Sequence, residues 1–348
     1  MRLVAALCLA LAGEEADVQA PVRPILVTDP VIDDSDDPAI WIDRADPSRS
    51  LLLGTDKGGR LFAFDLAGKR REDLTVEGLA RPNNVDVEYD LRLDGGTVDV
   101  AVVTERDGGR MRVFRLPDLA PLDGGGIAVF AGEPDRRPMG VALYRRPSDG
   151  AVFAILSRKV GPTDALLWQY RLEDDGDGKI RAVVVRRFGS WSGPAHPTIE
   201  GEGNEVEAVC VDDELGEVYY SEEAVGVHKW AADPDAPDAD LERARFGTDG
   251  FEEDREGISL YPFGPEGGVL LVSDQAAGRF HVFSRRPPHA RLAVVPLSTV
   301  ESDGSDATAI PLGPRFPRGL FVAMSDDRTF QVYDWRDVRA RWSSDDRR

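Results

Sequence analysis

Lys57, Arg106 and Lys159 stand at matching places, each just after an apolar run and each preceded by another charged residue: Asp56, Glu105 and Arg158. The matching places later in the chain carry Glu223, Gln275 and the pair Asp326–Asp327. A second series precedes the neighbouring runs: Asp36 and Asp37, Asn83 and Asn84, Met139, Glu205 and Glu207. It continues with Asp254 and Glu256, then Asp303 and Asp306. A solvated rim of loop charges is the plain alternative, but random surface charge does not recur in register. Carboxylates gathered at one place repel one another unless cations sit among them, and oxygen donors select calcium or magnesium. Lys and Arg beside such a cluster can hold an anion, Arg with the forked geometry that suits phosphate. Neither a Cys nor a His offers a partnered nucleophile: Cys210 sits in the apolar run 207–211, and His196 lies in the loop Pro194–Pro197.

Short apolar or alternating runs must position these residues, because helical periodicity is almost absent. The runs come in triplets: 38–43, 51–55 and 60–65; 84–89, 98–104 and 110–114; 140–144, 151–156 and 165–170. Three more follow: 207–211, 217–220 and 226–230; 257–261, 268–272 and 279–283; 307–310, 319–323 and 329–333. Six triplets at a period of roughly 50 residues predict an all-β, six-bladed propeller with four-stranded antiparallel blades around a central channel. A two-sheet sandwich gives no reason for the repetition. Outer strands fit at Ile180–Phe188 and Arg291–Leu297, and Val22–Thr28 is left to pair with the last blade and close the ring. In antiparallel neighbours the start of the first strand and the end of the second lie together, so both charged series share one face. That face reads as a basic half from blades one to three and an acidic half from blades four to six.

Composition narrows the partners. The chain has 348 residues with 63 acidic and 42 basic, a net charge of −21. Phosphate-backbone binding needs a basic footprint, so nucleic acid is not an expected partner. The longest apolar run, Leu3–Ala12, is too short for a membrane span and reads with Met1–Arg2 as a secretory leader. Secretion or a periplasmic location is expected. With 2 Cys and 4 His, a disulfide scaffold is ruled out and a zinc site disfavoured. The expected division is a leader over 1–20, one propeller over 21–335 and a charged tail over 336–348, in a monomer. Asp174–Gly178 resembles part of a calcium-binding loop but has no closing Glu, so a hairpin turn is expected. The run Asp233–Asp240 reads as an acidic surface loop.

Several motifs in order resemble the β-propeller phytases of the Bacillus alkaline type. They are Asp36–Trp41, Thr55–Lys57 with Gly58–Leu61, Asn83–Asp86, Arg106, Glu207 with Asp212–Glu214, Glu222–Glu223, Asp254–Gly257 and Ser273–Gln275. The similarity runs from about Asp34 to Tyr333. It implies several calcium ions at one mouth and hydrolysis of phytate, myo-inositol hexakisphosphate, to lower inositol phosphates by metal-activated water, the activity of a 3-phytase. It implies calcium ligands at Asp36, Glu207, Glu223, Asp254, Glu256, Gln275 and Asp303, with contributions from Asp37 and Asn84. Lys57, Arg106 and Lys159 match the phosphate-binding cations, and Glu207 is placed to orient or deprotonate the water. Met139 stands where the family has Tyr, beside the phosphate, and Thr308 replaces an acidic ligand. Two other readings stay open: a calcium-dependent lactonase, and a propeller that binds calcium and a partner without catalysis.

Overall fold

The computed structural model describes residues 19–194, 203–265 and 267–342. The expected leader up to residue 18, and His196, fall outside them. The short strand β1 (Leu26–Val27) comes first, followed by six consecutive groups of strands. Blade one is β2 (Ser35–Trp41), β3 (Leu51–Asp56), β4 (Arg60–Phe64) and β5 (Val76–Glu77). Blade two is β6 (Pro82–Leu93), β7 (Gly96–Glu105), β8 (Arg110–Leu116) and β9 (Ile127–Ala128). Blade three is β10 (Pro138–Arg145), β11 (Val152–Arg158), β12 (Leu167–Asp174) and β13 (Ile180–Phe188). Blade four is β14 (Val209–Asp212), β15 (Glu217–Glu222), β16 (Gly226–Ala231) and β17 (Ala244–Phe246). Blade five is β18 (Arg255–Pro262), β19 (Gly268–Asp274), β20 (Arg279–Ser284) and β21 (Arg291–Pro296). Blade six is β22 (Ser305–Thr308), β23 (Leu320–Ser325) and β24 (Thr329–Asp334), completed by β1 from the other end of the chain.

The ring closes as expected, with Leu26 opposite Val332 and Val27 opposite Gln331 in antiparallel register. Thr28 reinforces it by exchanging bonds with Phe330: its N–H donates to Phe330 O at 3.0 Å, and its Oγ1 accepts Phe330 N–H at 3.0 Å. Closure removes the open sheet edges that would otherwise template aggregation.

The core consists of six seams, one between each pair of successive blades. Leu53, on β3, packs with Val103 of blade two, while its neighbour Leu52 turns the other way onto Val322 and Phe330 of blade six. Both faces of a central strand are therefore buried, which is why these strands read as continuous apolar runs. The seam of blades five and six also takes in Trp335 and Val338 of the helix α1 (Trp335–Arg339), together with Trp342. Residues 336–342, read from sequence as a charged tail, are thus docked on the propeller, with Trp335 stacked on Tyr261 at 3.5 Å between centroids. The Asp174–Gly178 stretch is the hairpin between β12 and β13, where Asp174 Oδ1 accepts Gly176 N–H at 2.7 Å. Among the described residues no helix is long and apolar enough to cross a membrane.

Candidate active site

The innermost strands of blades one, two, three and five carry a bulge at the same end. Pairing slips between Ser35 and Pro38, Pro82 and Val85, Pro138 and Val141, and Arg255 and Ile258. A bulge releases residues from the ladder and re-aims them, and here the released pairs are Asp36–Asp37, Asn83–Asn84, Met139–Gly140 and Glu256–Gly257. Packing at this end is close. A Cβ on Gly140 would sit 2.1 Å from Glu207 O, so the third and fourth blades can approach here only at a glycine.

The three cations all lie at this mouth and all are ion-paired. Lys57 Nζ is 3.1 Å from Asp303, 3.3 Å from Asp36 and 3.8 Å from Asp34. Arg106 is 3.2 Å from Glu205 and 3.9 Å from Glu207, and it donates to Asn83 Oδ1 at 3.4 Å. Lys159 pairs with the other oxygen of Glu205. The basic and acidic halves expected from sequence are therefore stitched together rather than kept apart. Glu205, noted from its position on the mouth but given no role, is the bridge between two cations.

Among the acidic positions, Gln275 Nε2 donates to Asp303 Oδ1 at 2.6 Å, so Asp303 faces both blade one and blade five. Glu223 accepts the Glu205 backbone N–H at 2.8 Å. Burial pushes the Asp36 carboxyl up to about 7 against the pull of Lys57, and Glu223 likewise to about 7. Burial also raises Glu207 well above the usual range, reinforced by Asp36 and Asp303, and it raises Glu256, reinforced by Glu207 and Glu223. Asp254 is raised by burial as well. Lys57 is pulled down by burial but more strongly raised by Asp36, Asp303 and Asp34. The mouth is thus a set of mutually repelling carboxyls short of positive charge.

The remaining sequence-derived positions are engaged in other ways. Asp37 lies beside Asp36 but spends Oδ2 on the Val85 N–H at 3.0 Å, a link from blade one to blade two. Asn84 is buried, its Oδ1 accepting from Asn83 Nδ2 at 3.0 Å. Met139 is 0% exposed, so its side chain is withdrawn from the surface a phosphate would touch. Asp212 and Glu214 sit at the far end of β14 and bind Arg285, leaving Glu207 and Glu223 as the mouth residues of that acidic blade. Asp306 holds Ile40 N–H at 2.8 Å inside the channel, and Asp326 and Asp327 are exposed. Cys210 is a free thiol beside the channel, raised well above its usual range by burial and unsuited to act as a nucleophile.

Whether a hard cation fits is answered by the donors. Asp36 Oδ2 and Glu256 Oε2 are buried and, among the described residues, have no hydrogen-bond partner. Buried carboxylate oxygens are costly without partners, and an oxygen-only donor set suits calcium. The donors are not gathered into a finished cage: among the described residues no three acidic, His or Cys side chains converge tightly enough to hold an ion by themselves.

Fold and mouth together define a six-bladed propeller whose charged residues from successive blades meet at one end of the channel. The chain belongs to the Phytase family, whose model matches residues 2–334, and is an enzyme of that class, which sets aside the lactonase and non-catalytic readings. A 3-phytase of Bacillus subtilis (strain 168) is 27% identical over 339 residues, spanning 89% of this chain and 82% of that protein. Among solved structures, a luciferin-regenerating enzyme superposes with a TM-score of 0.54 at 13% identity, covering 87% of this chain and 92% of that one. The WD40 propeller domain of Doa1 gives 0.50 at 13% identity, covering 88% and 80%. These two structures share the fold alone.

Proposed function

We propose that this chain hydrolyses phytate to lower inositol phosphates and inorganic phosphate, and that calcium at the mouth is required. The observation that carries this reading is the set of Lys57, Arg106 and Lys159, one from each of three successive blades, each already holding carboxylate oxygens. Phosphate oxygens present the same charge-assisted acceptors. Asp36, Glu207, Glu223, Asp254, Glu256, Gln275 and Asp303 are the residues that would hold calcium. Bound calcium supplies the positive charge these carboxyls lack, and Lewis acidity toward phosphate oxygens and water.

The chain's own residues then bind, orient and move a proton. Lys57, Arg106 and Lys159 stabilise the charge on the equatorial phosphoryl oxygens as the bond to the inositol oxygen breaks. Water attacks phosphorus in line with that oxygen. Glu207 orients the attacking water or accepts the proton it loses, and the leaving oxygen takes a proton from solvent. The test is phosphate release from calcium phytate, with and without a chelator. Release that stops with chelator and returns with added calcium is expected. Release unaffected by chelation would remove calcium from the reading, and no release in either arm would remove phytate.

A further inference from the structure

Every second strand ends in a repeated pattern that does not itself touch the mouth. The residue before last is a hydroxyl in five blades, and it donates to a carbonyl of the next blade: Thr55 to Asn83 O at 2.6 Å, Thr104 to Met139 O at 2.7 Å, Ser157 to Val206 O at 2.5 Å. Ser221 to Glu256 O and Ser273 to Ser302 O continue the series, at 2.9 and 2.8 Å. The last residue is fully buried and grips the loop that leads into its own blade. Asp56 accepts Asp34 N–H at 2.9 Å, Glu105 accepts Ala80 N–H at 3.0 Å, and Glu222 accepts Ser192 N–H at 2.7 Å. Asp274 accepts Glu252 N–H at 2.9 Å, and Ser325 Oγ accepts Val300 N–H at 3.2 Å.

The next residue is the one that reaches the mouth, and its backbone N–H donates back to the same loop. Lys57 donates to Asp34 O at 2.8 Å, Arg106 to Arg81 O at 3.0 Å, Lys159 to Arg137 O at 3.0 Å and Glu223 to Glu205 O at 3.1 Å. Gln275 to Asp254 O and Asp326 to Val300 O complete the ring, at 3.3 and 2.9 Å. Each mouth residue is therefore held between a side-chain grip and a backbone return bond.

Blade three inverts the polarity. Arg158 replaces the carboxylate or hydroxyl, and its Nη1 lies 2.7 Å from Glu133 on the incoming loop, with the guanidinium 5.3 Å from the Phe130 ring centroid. Arg158 is 0% exposed, and among the described residues none of its guanidinium nitrogens makes an aligned hydrogen bond. A buried charge so thinly bonded is a poor way to gain stability. We propose that Arg158, through Glu133 and the loop that ends at Arg137, is a positioning residue that sets the location of the Lys159 ammonium; its catalytic consequence rests on the reading that Lys159 binds substrate phosphate.

The test compares the native enzyme with Arg158→Met, Arg158→Lys and Lys159→Ala well below their melting temperatures. One readout is the rate of Lys159 acetylation by acetic anhydride, followed by mass spectrometry; the other is kcat/KM on calcium phytate. Arg158→Met is expected to melt no lower than native, to acetylate faster at Lys159 and to lose about tenfold in kcat/KM, as a displaced contact group does. Arg158→Lys is expected to restore both readouts. Native acetylation in Arg158→Met, or failure of Arg158→Lys to restore it, overturns the proposal whatever the melting temperature. If Arg158→Met does not fold, Glu133→Gln, at a partly exposed partner, carries the same two readouts. Native kcat/KM in Lys159→Ala would defeat the phosphate-binding reading instead, while acetylation still decides the positioning.

Discussion

One carboxylate at the mouth, Glu205, sits between Arg106 and Lys159, the place the proposed reading gives to a substrate phosphate. Its removal is expected to strengthen anion binding. Glu205→Gln keeps the shape and deletes the competing charge, and a hydrogen bond to a charged group contributes about 1.5–3 kcal/mol. The inhibition constant of inorganic phosphate against phytate hydrolysis should then fall about tenfold or more. An unchanged constant would show that Glu205 does not sit where phosphate binds. Much of this site was readable in advance: the recurrence of Lys57, Arg106 and Lys159 located the mouth, because strand ends in a closed ring share one face. The bridge made by Glu205 was not readable, since it depends on how closely the second and fourth blades converge, a distance no local pattern encodes. Met139 shows the reverse failure. A bulge begins beside it, and a residue counted as facing the mouth is fully buried.

At the scale of strands, legibility followed burial. The three inner strands of each blade are covered on both faces and announce themselves as apolar runs. The outer strands β5 and β9 have two residues each and carry little pattern of their own. The bulges that display Asp36, Asn84 and Glu256 also left no sequence signal, because a bulge changes pairing without needing a special residue. The closing strand was legible as a remainder, an extended apolar segment with no triplet to join. Its contribution is testable by truncation. Starting the chain at Pro30 removes the pairing of Leu26 and Val27 with β24, and it leaves Phe330 N–H without its buried Thr28 acceptor. Net backbone bonds contribute about 1 kcal/mol each and an orphaned buried donor costs about 1–3 kcal/mol, so the melting temperature should drop by several degrees. A truncated protein that melts with the full chain would mean that blade six is stable with its outer edge open.

The whole molecule concentrates acid along its axis, and stability should report that in two separable ways. Away from the mouth, burial pushes Glu88, on β6, up to about 9, with Asp213 adding to it, and pushes Asp306, in the channel, up to about 7. Each binds more protons folded than unfolded from about pH 4, near the ordinary carboxyl value, up to its folded value. Stability measured in chelator should therefore fall as pH rises across that window. Glu88→Gln keeps a hydrogen-bonding amide at Tyr89 N–H, 2.7 Å away, and removes one titration, so its melting temperature should exceed the native one near pH 9 and approach it near pH 5. Parallel curves for the two proteins would deny Glu88 that role. At the mouth, the proposed calcium would relieve the same repulsion in place of a proton. Asp36, Glu207, Glu223 and Glu256 are raised in the folded protein, and an ion bound among them has no comparable site on the unfolded chain. A ligand that binds only the native state adds RT ln(1 + [L]/Kd), about 2.7 kcal/mol at a hundredfold excess over Kd. Calcium at pH 7.5 is therefore expected to raise the melting temperature by several degrees over chelator. Magnesium, which prefers a smaller octahedral shell and keeps its waters, should raise it less. The Glu88→Gln variant should keep the full calcium shift, because its change lies on β6 away from the mouth. Coincident melts with calcium and with chelator would sink the assignment of the mouth carboxyls as metal ligands and leave their raised pKa values as a feature of burial alone.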